Sequence, residues 1–439
     1  MNGASTTICV RPGAALRGTV RVPGDKSLSH RALILGALAD GASHVRGWLP
    51  AGDTLATLRC VRALGIAVEQ EEATTLAVHG HGLSGLQAPA APLDCANAGT
   101  AMRLLAGVLA GQPFASTLDG SEQLRRRPMG RITGPLRQMG AQIADTDGHA
   151  PLYIRPAALR GMAHTLPVAS AQVKSGILLA GLFADGPTTV SEPGPARDHT
   201  ERMLQAMGAR VDGDGFTVTL TPGPALRPLD LTVPGDPSSA AFVLAAALLA
   251  GGDEVRVTGV GVNPTRTGLL DILAAMGSPV ICEGEHLEGG EPVADLLVRR
   301  GNLRGAEVGG DLIVRTIDEF PALMVVATQA AGETVVRDAA ELRVKETDRI
   351  AVMAAELRKL GAQIDERPDG FRIAGPQQLH GAVVQGHDDH RVAMALAVAG
   401  LVAEGETVVE DAACAHDSFP GFVGTMRVLG AEMDWCDHD

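Results

Sequence analysis

Aromatic residues are scarce in this chain: eight Phe, two Trp and one Tyr in 439 positions. A surface that stacks nucleic-acid bases needs several aromatics together, and a formal net charge of −14 also repels phosphate backbones. Nucleic acid is therefore excluded as the main partner. The six cysteines, at 9, 60, 95, 282, 414 and 436, include no Cys-x-x-Cys pair. Neither a disulfide framework nor a structural zinc site is expected, and a reducing cytoplasm fits. No apolar run is long enough for a membrane span, and positions 1–12 carry no signal-peptide pattern. What remains is a globular chain, 45% apolar and 20% charged, long enough for two or three domains. An anionic small substrate stays compatible with the negative charge, provided the site makes its own positive field.

Glycine, by contrast, is abundant at 54 residues, well above the usual share of about 7%, and part of it is periodic. Apolar-periodic helices end in Gly65, Gly140, Gly208, Gly277, Gly361 and Gly430, at intervals of 75, 68, 69, 84 and 69 residues. Three positions after each comes an apolar residue: Val68, Ile143, Val211, Val280, Ile364 or Met433. A glycine that caps a helix in the left-handed conformation and then releases a strand explains the pattern. A second signal, beginning at Leu16, Leu83, Leu159, Leu226, Leu303 and Leu379, runs in step. Six matches in phase mean internal repetition.

Each repeat reads helix, strand, helix, strand, strand. The leading helices, expected at 29–39, 99–110, 171–184, 238–250, 319–331 and 389–403, are apolar almost all round and should be buried. The sixth repeat lacks its closing strand, and Thr7–Arg11 resembles the missing one, so the chain is expected to close on itself. Val22-Pro23-Gly24-Asp25 recurs as Val233-Pro234-Gly235-Asp236. These read as two crossovers separating a domain of 21–234 from one of 1–20 plus 235–439. A purely structural repeat protein is the plainer reading, and the placement of the polar residues weakens it.

Those residues gather at the helix starts. Gly24-Asp25-Lys26-Ser27 opens the first helix, with Arg31 one turn on. Asn97-Ala98-Gly99-Thr100 and Arg103 open the second, Ser170-Ala171-Gln172 and Lys174 the third, and Asp388-Asp389-His390-Arg391 the sixth. Free N–H groups and the positive end of a helix favour an anion there. A Walker A loop does not fit, because Asp25 precedes Lys26 where that motif needs Gly. The fifth helix opens with Asp318-Glu319, which a phosphate would repel, so an acid there suggests proton transfer or a hydroxyl contact. Arg127, Arg349 and Arg391 could each clamp a phosphate or carboxylate through two parallel hydrogen bonds. Solvated loops and surface helix pairs are the plainer readings of Arg125–Arg127 and Lys345–Arg349. His387–His390 could hold a metal, but no matching ligand set appears elsewhere in the sequence. His390 reads as a structural hydrogen-bonding histidine.

Taken together, Gly24-Asp25-Lys26-Ser27 to Arg31, Asn97 to Arg103, Arg127-Pro128-Met129-Gly130, Lys345-Glu346-Thr347-Asp348-Arg349 and Asp389-His390-Arg391 resemble, in order, the motifs of the 5-enolpyruvylshikimate-3-phosphate synthase family. The resemblance spans essentially the whole chain. It implies an α/β fold, a two-domain inside-out α/β barrel of six βαβαββ repeats, three per domain, closing over a central cleft. It implies transfer of the enolpyruvyl group of phosphoenolpyruvate to the 5-hydroxyl of shikimate 3-phosphate by addition and elimination, without metal or organic cofactor, in a cytoplasmic monomer. Lys26, Gly99, Arg127, Arg349 and Arg391 would bind phosphoenolpyruvate. Ser27, Arg31, Ser170, Ala171, Gln172, Asp318 and Lys345 would bind shikimate 3-phosphate, and Asn97 and Thr100 would line the substrate site. Asp318 would accept a proton, with Glu346 and Lys26 serving further proton transfer.

Two departures stand out. Asp417-Ser418-Phe419-Pro420 replaces the Lys-Thr-Phe-Pro of many members, removing one cation. Ser170-Ala171-Gln172, with Arg197-Asp198-His199-Thr200 downstream, resembles the subgroup called class II, in which Arg197 would meet the substrate phosphate. Members with glycine at position 99 are commonly inhibited by glyphosate. The runner-up family, UDP-N-acetylglucosamine enolpyruvyl transferase, has Lys-Asn in place of Lys26-Ser27 and a cysteine-bearing loop near 116–127, where this chain has no cysteine. A non-catalytic phosphosugar-binding protein would not need Asp318 and Glu346.

Overall fold

The computed structural model describes residues 6–13 and 15–436; positions 1–5, 14 and 437–439, all within the expected domain of 1–20 plus 235–439, lie outside them. The described chain divides into two compact units. One comprises Gly24–Val233 with Leu287–Glu291; the other comprises the residues up to Pro23, Pro234–His286 and those from Pro292 onward. Each has its own apolar core and three four-stranded sheets.

Six helices lead the repeats: α1 (Lys26–Leu38), α2 (Gly99–Ala110) and α3 (Ala171–Gly181) in the first unit, α4 (Pro237–Ala250), α5 (Phe320–Gln329) and α6 (His390–Gly400) in the second. Their Ala and Leu content favours helix, and together with Val it leaves no polar face, so they pack inside. Every residue of α4 from Ser238 to Leu249 is buried. The sheets lie outside them and bury one face each; in Thr217–Thr221 only Val218 and Leu220 are fully buried. The strand alternation that sequence periodicity demands is thus met by helices on one side and solvent on the other.

Side chains stop four of these helices from fraying at the start. Asp25, Ser170, Asp236 and Asp389 accept hydrogen bonds from the N–H groups of Leu28, Val173, Ser238 and Arg391. Helices α2 and α3 approach so closely that a Cβ at Gly107 would lie 2.0 Å from the Gly176 carbonyl oxygen. The six glycines that end the second helix of each repeat all have φ between +85° and +103°, the conformation the sequence pattern requires.

The crossovers exchange strands. Leu16–Val20 lies parallel to Gly251–Gly261 in one unit, and Asp230–Thr232 lies parallel to Asp40–Arg46 in the other. Thr7–Arg11 pairs with both Thr407–Glu410 and Glu432–Cys436, so the chain's first strand completes its last sheet. Among the described residues no helix is long and apolar enough to cross a membrane.

One covalent feature departs from the sequence reading, which expected no disulfide framework. Cys9 and Cys436 sit on neighbouring antiparallel strands, with Cα atoms 6.0 Å apart, and form a disulfide across 427 residues. The closure that makes them neighbours was expected, but the strand register that sets the two cysteines side by side is fixed only in the folded sheet. Cys60, Cys95, Cys282 and Cys414 are free thiols. Tying the two ends restricts the unfolded chain, an effect typically worth about 2–4 kcal/mol. Cys9→Ser should therefore lower the melting temperature of the oxidised protein by several degrees. Reductant should bring the wild type to the same value and leave the variant unchanged. Equal melting temperatures for all four samples would show that the bond contributes nothing to stability.

Candidate active site

In the unit of Gly24–Val233, the starts of α1, α2 and α3 carry the expected polar residues. Lys26 donates from Nζ to Asp53 Oδ2 at 3.0 Å, a partner that the sequence reading missed because it lies 27 residues away on another helix. Arg31, only 2% exposed, donates to the Ser27 carbonyl at 3.0 Å, to Thr200 Oγ1 at 2.7 Å and to Ser175 Oγ at 2.9 Å. Among the described residues no carboxylate lies within ion-pair distance of it. Burial pushes its pKa down to about 10, with Glu201 and Asp25 opposing that shift and Arg197 adding to it. A buried guanidinium held by hydroxyls and one carbonyl is under-compensated, and a bound anion would supply the missing charge.

The second and third helices are tied to each other. Gln172 donates to Thr100 Oγ1 at 2.8 Å and accepts from Arg103, whose other nitrogen meets the Pro128 carbonyl at 3.1 Å. Arg127 follows directly in space, because a Cβ at Gly99 would lie 3.0 Å from both Arg127 Nη1 and Arg103 Nη1. Asn97 accepts a hydrogen bond from Ser121, and Ala96 before it has φ +48°. Gly99 thus gives two guanidinium groups access to the start of α2. Ser170 caps α3 through its Oγ, Ala171 is the first residue of that helix, and the Ser170 N–H donates to Glu192 at 2.8 Å. Lys174 departs from the reading that placed it in an anion site. It is buried, with its ammonium 2.8 Å from Glu192 and 2.8 Å from Glu201.

The other unit has a cluster of three cations and three carboxylates. Asp318 lies 3.5 Å from Lys345, 3.4 Å from Arg349 and 3.8 Å from Arg391, whose Nη1 also donates to the Asp318 carbonyl at 3.1 Å. Arg349, 1% exposed, is gripped by Asp389 at 2.9 Å and by Glu346 at 2.6 Å. Burial alone would lower its pKa, but Asp389, Glu346 and Asp318 outweigh burial and raise it well above the ordinary value. The sequence reading offered this guanidinium to a substrate, and in the structure it also meets three protein carboxylates. Asp389 also accepts from Thr347 Oγ1 at 3.1 Å. It was visible in the Asp-His-Arg motif, but its part as the anchor of Arg349 was not.

Glu319, read beside Asp318 as a candidate acid, points elsewhere. It is buried, accepts from Ser238 and lies 3.9 Å from Arg266. His387 Nε2 meets Glu356 at 2.9 Å, and among the described residues no group of three or more His, Cys, Asp or Glu side chains is placed to hold a metal.

These arrangements can bind polyanions and move protons. Relatives match along the whole chain. The sequence pattern of the EPSP synthase (3-phosphoshikimate 1-carboxyvinyltransferase) family matches residues 10–426. A 3-phosphoshikimate 1-carboxyvinyltransferase of Acidithiobacillus ferrooxidans is 54% identical over 429 residues, covering 98% of this chain and 99% of that protein. The same-named protein of Brevibacillus brevis is 50% identical over 415 residues, 94% of this chain and 97% of its own length. Among solved structures, an EPSP synthase from Acinetobacter baumannii has a TM-score of 0.88 at 43% identity, covering 98% of this chain and 99% of that one. With the six-repeat fold and the ordered motifs, these matches establish that the chain belongs to the EPSP synthase family.

Proposed function

We propose that this protein transfers the enolpyruvyl group of phosphoenolpyruvate to the 5-hydroxyl of shikimate 3-phosphate, releasing phosphate, in aromatic amino acid biosynthesis. The observation that carries the reading is the Asp318 carboxylate set among Lys345, Arg349 and Arg391 in a chain of this family. Such a group can take a hydroxyl proton while the surrounding cations hold substrate anions. We assign Lys26, Gly99, Arg127, Arg349 and Arg391 to phosphoenolpyruvate. Ser27, Arg31, Ser170, Ala171, Gln172, Arg197, Asp318 and Lys345 are assigned to shikimate 3-phosphate, with Asn97 and Thr100 shaping the start of α2. The 21–234 domain would supply mainly the shikimate 3-phosphate contacts. The domain of 1–20 plus 235–439 would supply mainly phosphoenolpyruvate and catalytic groups.

In the addition step Asp318 takes the 5-hydroxyl proton as the oxygen attacks C2 of phosphoenolpyruvate, and C3 gains a proton. Elimination removes a C3 proton and expels phosphate. Glu346 and Lys26 are the groups assigned to proton transfer at the methylene and at the bridging oxygen. Under-compensated Arg31 and the paired carboxylates suit a site that is complete only with its anions bound. We place the protein, as a monomer, in the cytoplasm, where the Cys9–Cys436 pair would be held as thiols. The direct test is phosphate release that requires both substrates. Release with either one alone would reject this assignment.

Asp318→Asn keeps the shape and removes the carboxylate. Turnover should fall by roughly 10²–10⁴ while shikimate 3-phosphate still binds by calorimetry; near-normal turnover would remove Asp318 from the mechanism. Arg197→Ala should weaken shikimate 3-phosphate by about 1.5–3 kcal/mol and leave unphosphorylated shikimate little affected. Equal losses for both would show that Arg197 does not meet the phosphate.

Gly99→Ala places a methyl 3.0 Å from Arg127 Nη1, close enough to displace a flexible guanidinium. Glyphosate is longer than phosphoenolpyruvate and should suffer more from that methyl and from the displaced arginine. Inhibition should be competitive with phosphoenolpyruvate, and the ratio of inhibition constant to Michaelis constant should rise in the variant. An unchanged ratio would place Gly99 outside the pocket.

A further inference from the structure

Lys174 is a buried cation that the proposed mechanism leaves without a task. It lies one turn into α3, 3% exposed. Its ammonium meets Glu192 Oε2 and Glu201 Oε1, each at 2.8 Å, and donates to the Ala196 carbonyl at 3.3 Å. Each contact leads to the shikimate 3-phosphate site. The other oxygen of Glu192 accepts the Ser170 N–H at 2.8 Å. Ala196 immediately precedes Arg197. Glu201 follows Thr200, whose hydroxyl receives Arg31 Nε at 2.7 Å and donates to Ser175 Oγ at 2.7 Å.

The charges add a second argument. Glu201 is the strongest favourable charge acting on Arg31, yet it forms its ion pair with Lys174. Its other oxygen is buried and has no hydrogen-bond partner. Burial raises the Glu201 pKa even against the attraction of Lys174. Without that ammonium, the carboxylate would be drawn toward the guanidinium of Arg31.

We propose that Lys174 is a positioning residue for shikimate 3-phosphate: it holds Glu192 on the Ser170 N–H and keeps Glu201 off Arg31, so that this guanidinium is left for a substrate anion. The proposal rests on the assignment of Ser170 and Arg31 to that substrate. Lys174 itself touches no reacting atom.

The test compares wild type with Lys174→Met, Lys174→Arg, Glu192→Gln, the double variant Lys174→Met/Glu201→Gln, and Ser170→Ala and Arg31→Met as reporters of the site. Calorimetry gives the binary dissociation constant for shikimate 3-phosphate; steady-state kinetics give kcat and both Michaelis constants. Lys174→Met should weaken shikimate 3-phosphate by about 10- to 100-fold. The Michaelis constant for phosphoenolpyruvate, at saturating shikimate 3-phosphate, should stay within about threefold. Lys174→Arg should recover most of the loss. The double variant should recover part of it, because a neutral amide no longer competes for Arg31; a melting temperature restored in the double variant without any recovery of affinity would instead mark a purely structural role for Lys174.

Unchanged affinity in Lys174→Met, with Ser170→Ala or Arg31→Met weakened, would overturn the proposal and leave the site assignment standing. Unchanged affinity in both reporters would overturn the site assignment instead. If Lys174→Met does not fold, Glu192→Gln and the double variant decide: Glu192→Gln at wild-type affinity, or a folded double variant weakened as much as Arg31→Met, would overturn the proposal.

Discussion

Six helices with no polar face constrain everything else in this molecule. A helix apolar on every side must be buried along its length, so its polar groups can stand only at its ends. Here the starts of α1, α2, α3, α5 and α6 carry, at the first residue or just before it, Lys26, Asn97, Ser170, Asp318 and Asp389. Chemistry is concentrated at helix starts because the packing leaves it no other place. Close contact between α2 and α3, enforced at Gly107 and Gly176, then sets the reach of Gln172 toward Thr100 and Arg103.

Two buried arginines show how similar residues are put to different uses. Arg349 has Asp389, Glu346 and Asp318 around it, so its desolvation is offset inside the protein and it fixes three carboxylates in place. Arg31 has hydroxyls and a carbonyl, so its desolvation is only partly offset. An anionic substrate gains most from the second kind of site, while a reacting carboxylate is best oriented by the first. The proposed division of labour follows from that difference: anion capture at Arg31, proton transfer at Asp318.

Much of the fold was legible because it rests on local rules repeated six times. The capping glycines could be read in phase, and all six adopt positive φ. Thr7–Arg11 was readable as the strand missing from the last repeat, since it resembled the closing strands of the others. Less of the site was legible. Lys174 looked like a member of an anion site, yet Glu192 and Glu201 enclose it. Glu319 looked like a twin of Asp318, yet it turns to Ser238 and Arg266. A side chain's direction depends on neighbours far away in the chain, and spacing carries no information about them.

The sequence alone determined the number of repeats, the presence and rough extent of each leading helix, and the residue types gathered at the helix starts. These follow from hydrophobic periodicity and from the backbone preferences of Gly and Pro, which act over a few residues. Tertiary structure decided which charges meet. It placed Asp53 on Lys26, Asp389 on Arg349, and Cys9 beside Cys436 across 427 residues. Electrostatic and covalent partners are selected by distance in space, and only the packed units bring those distances within a few ångströms.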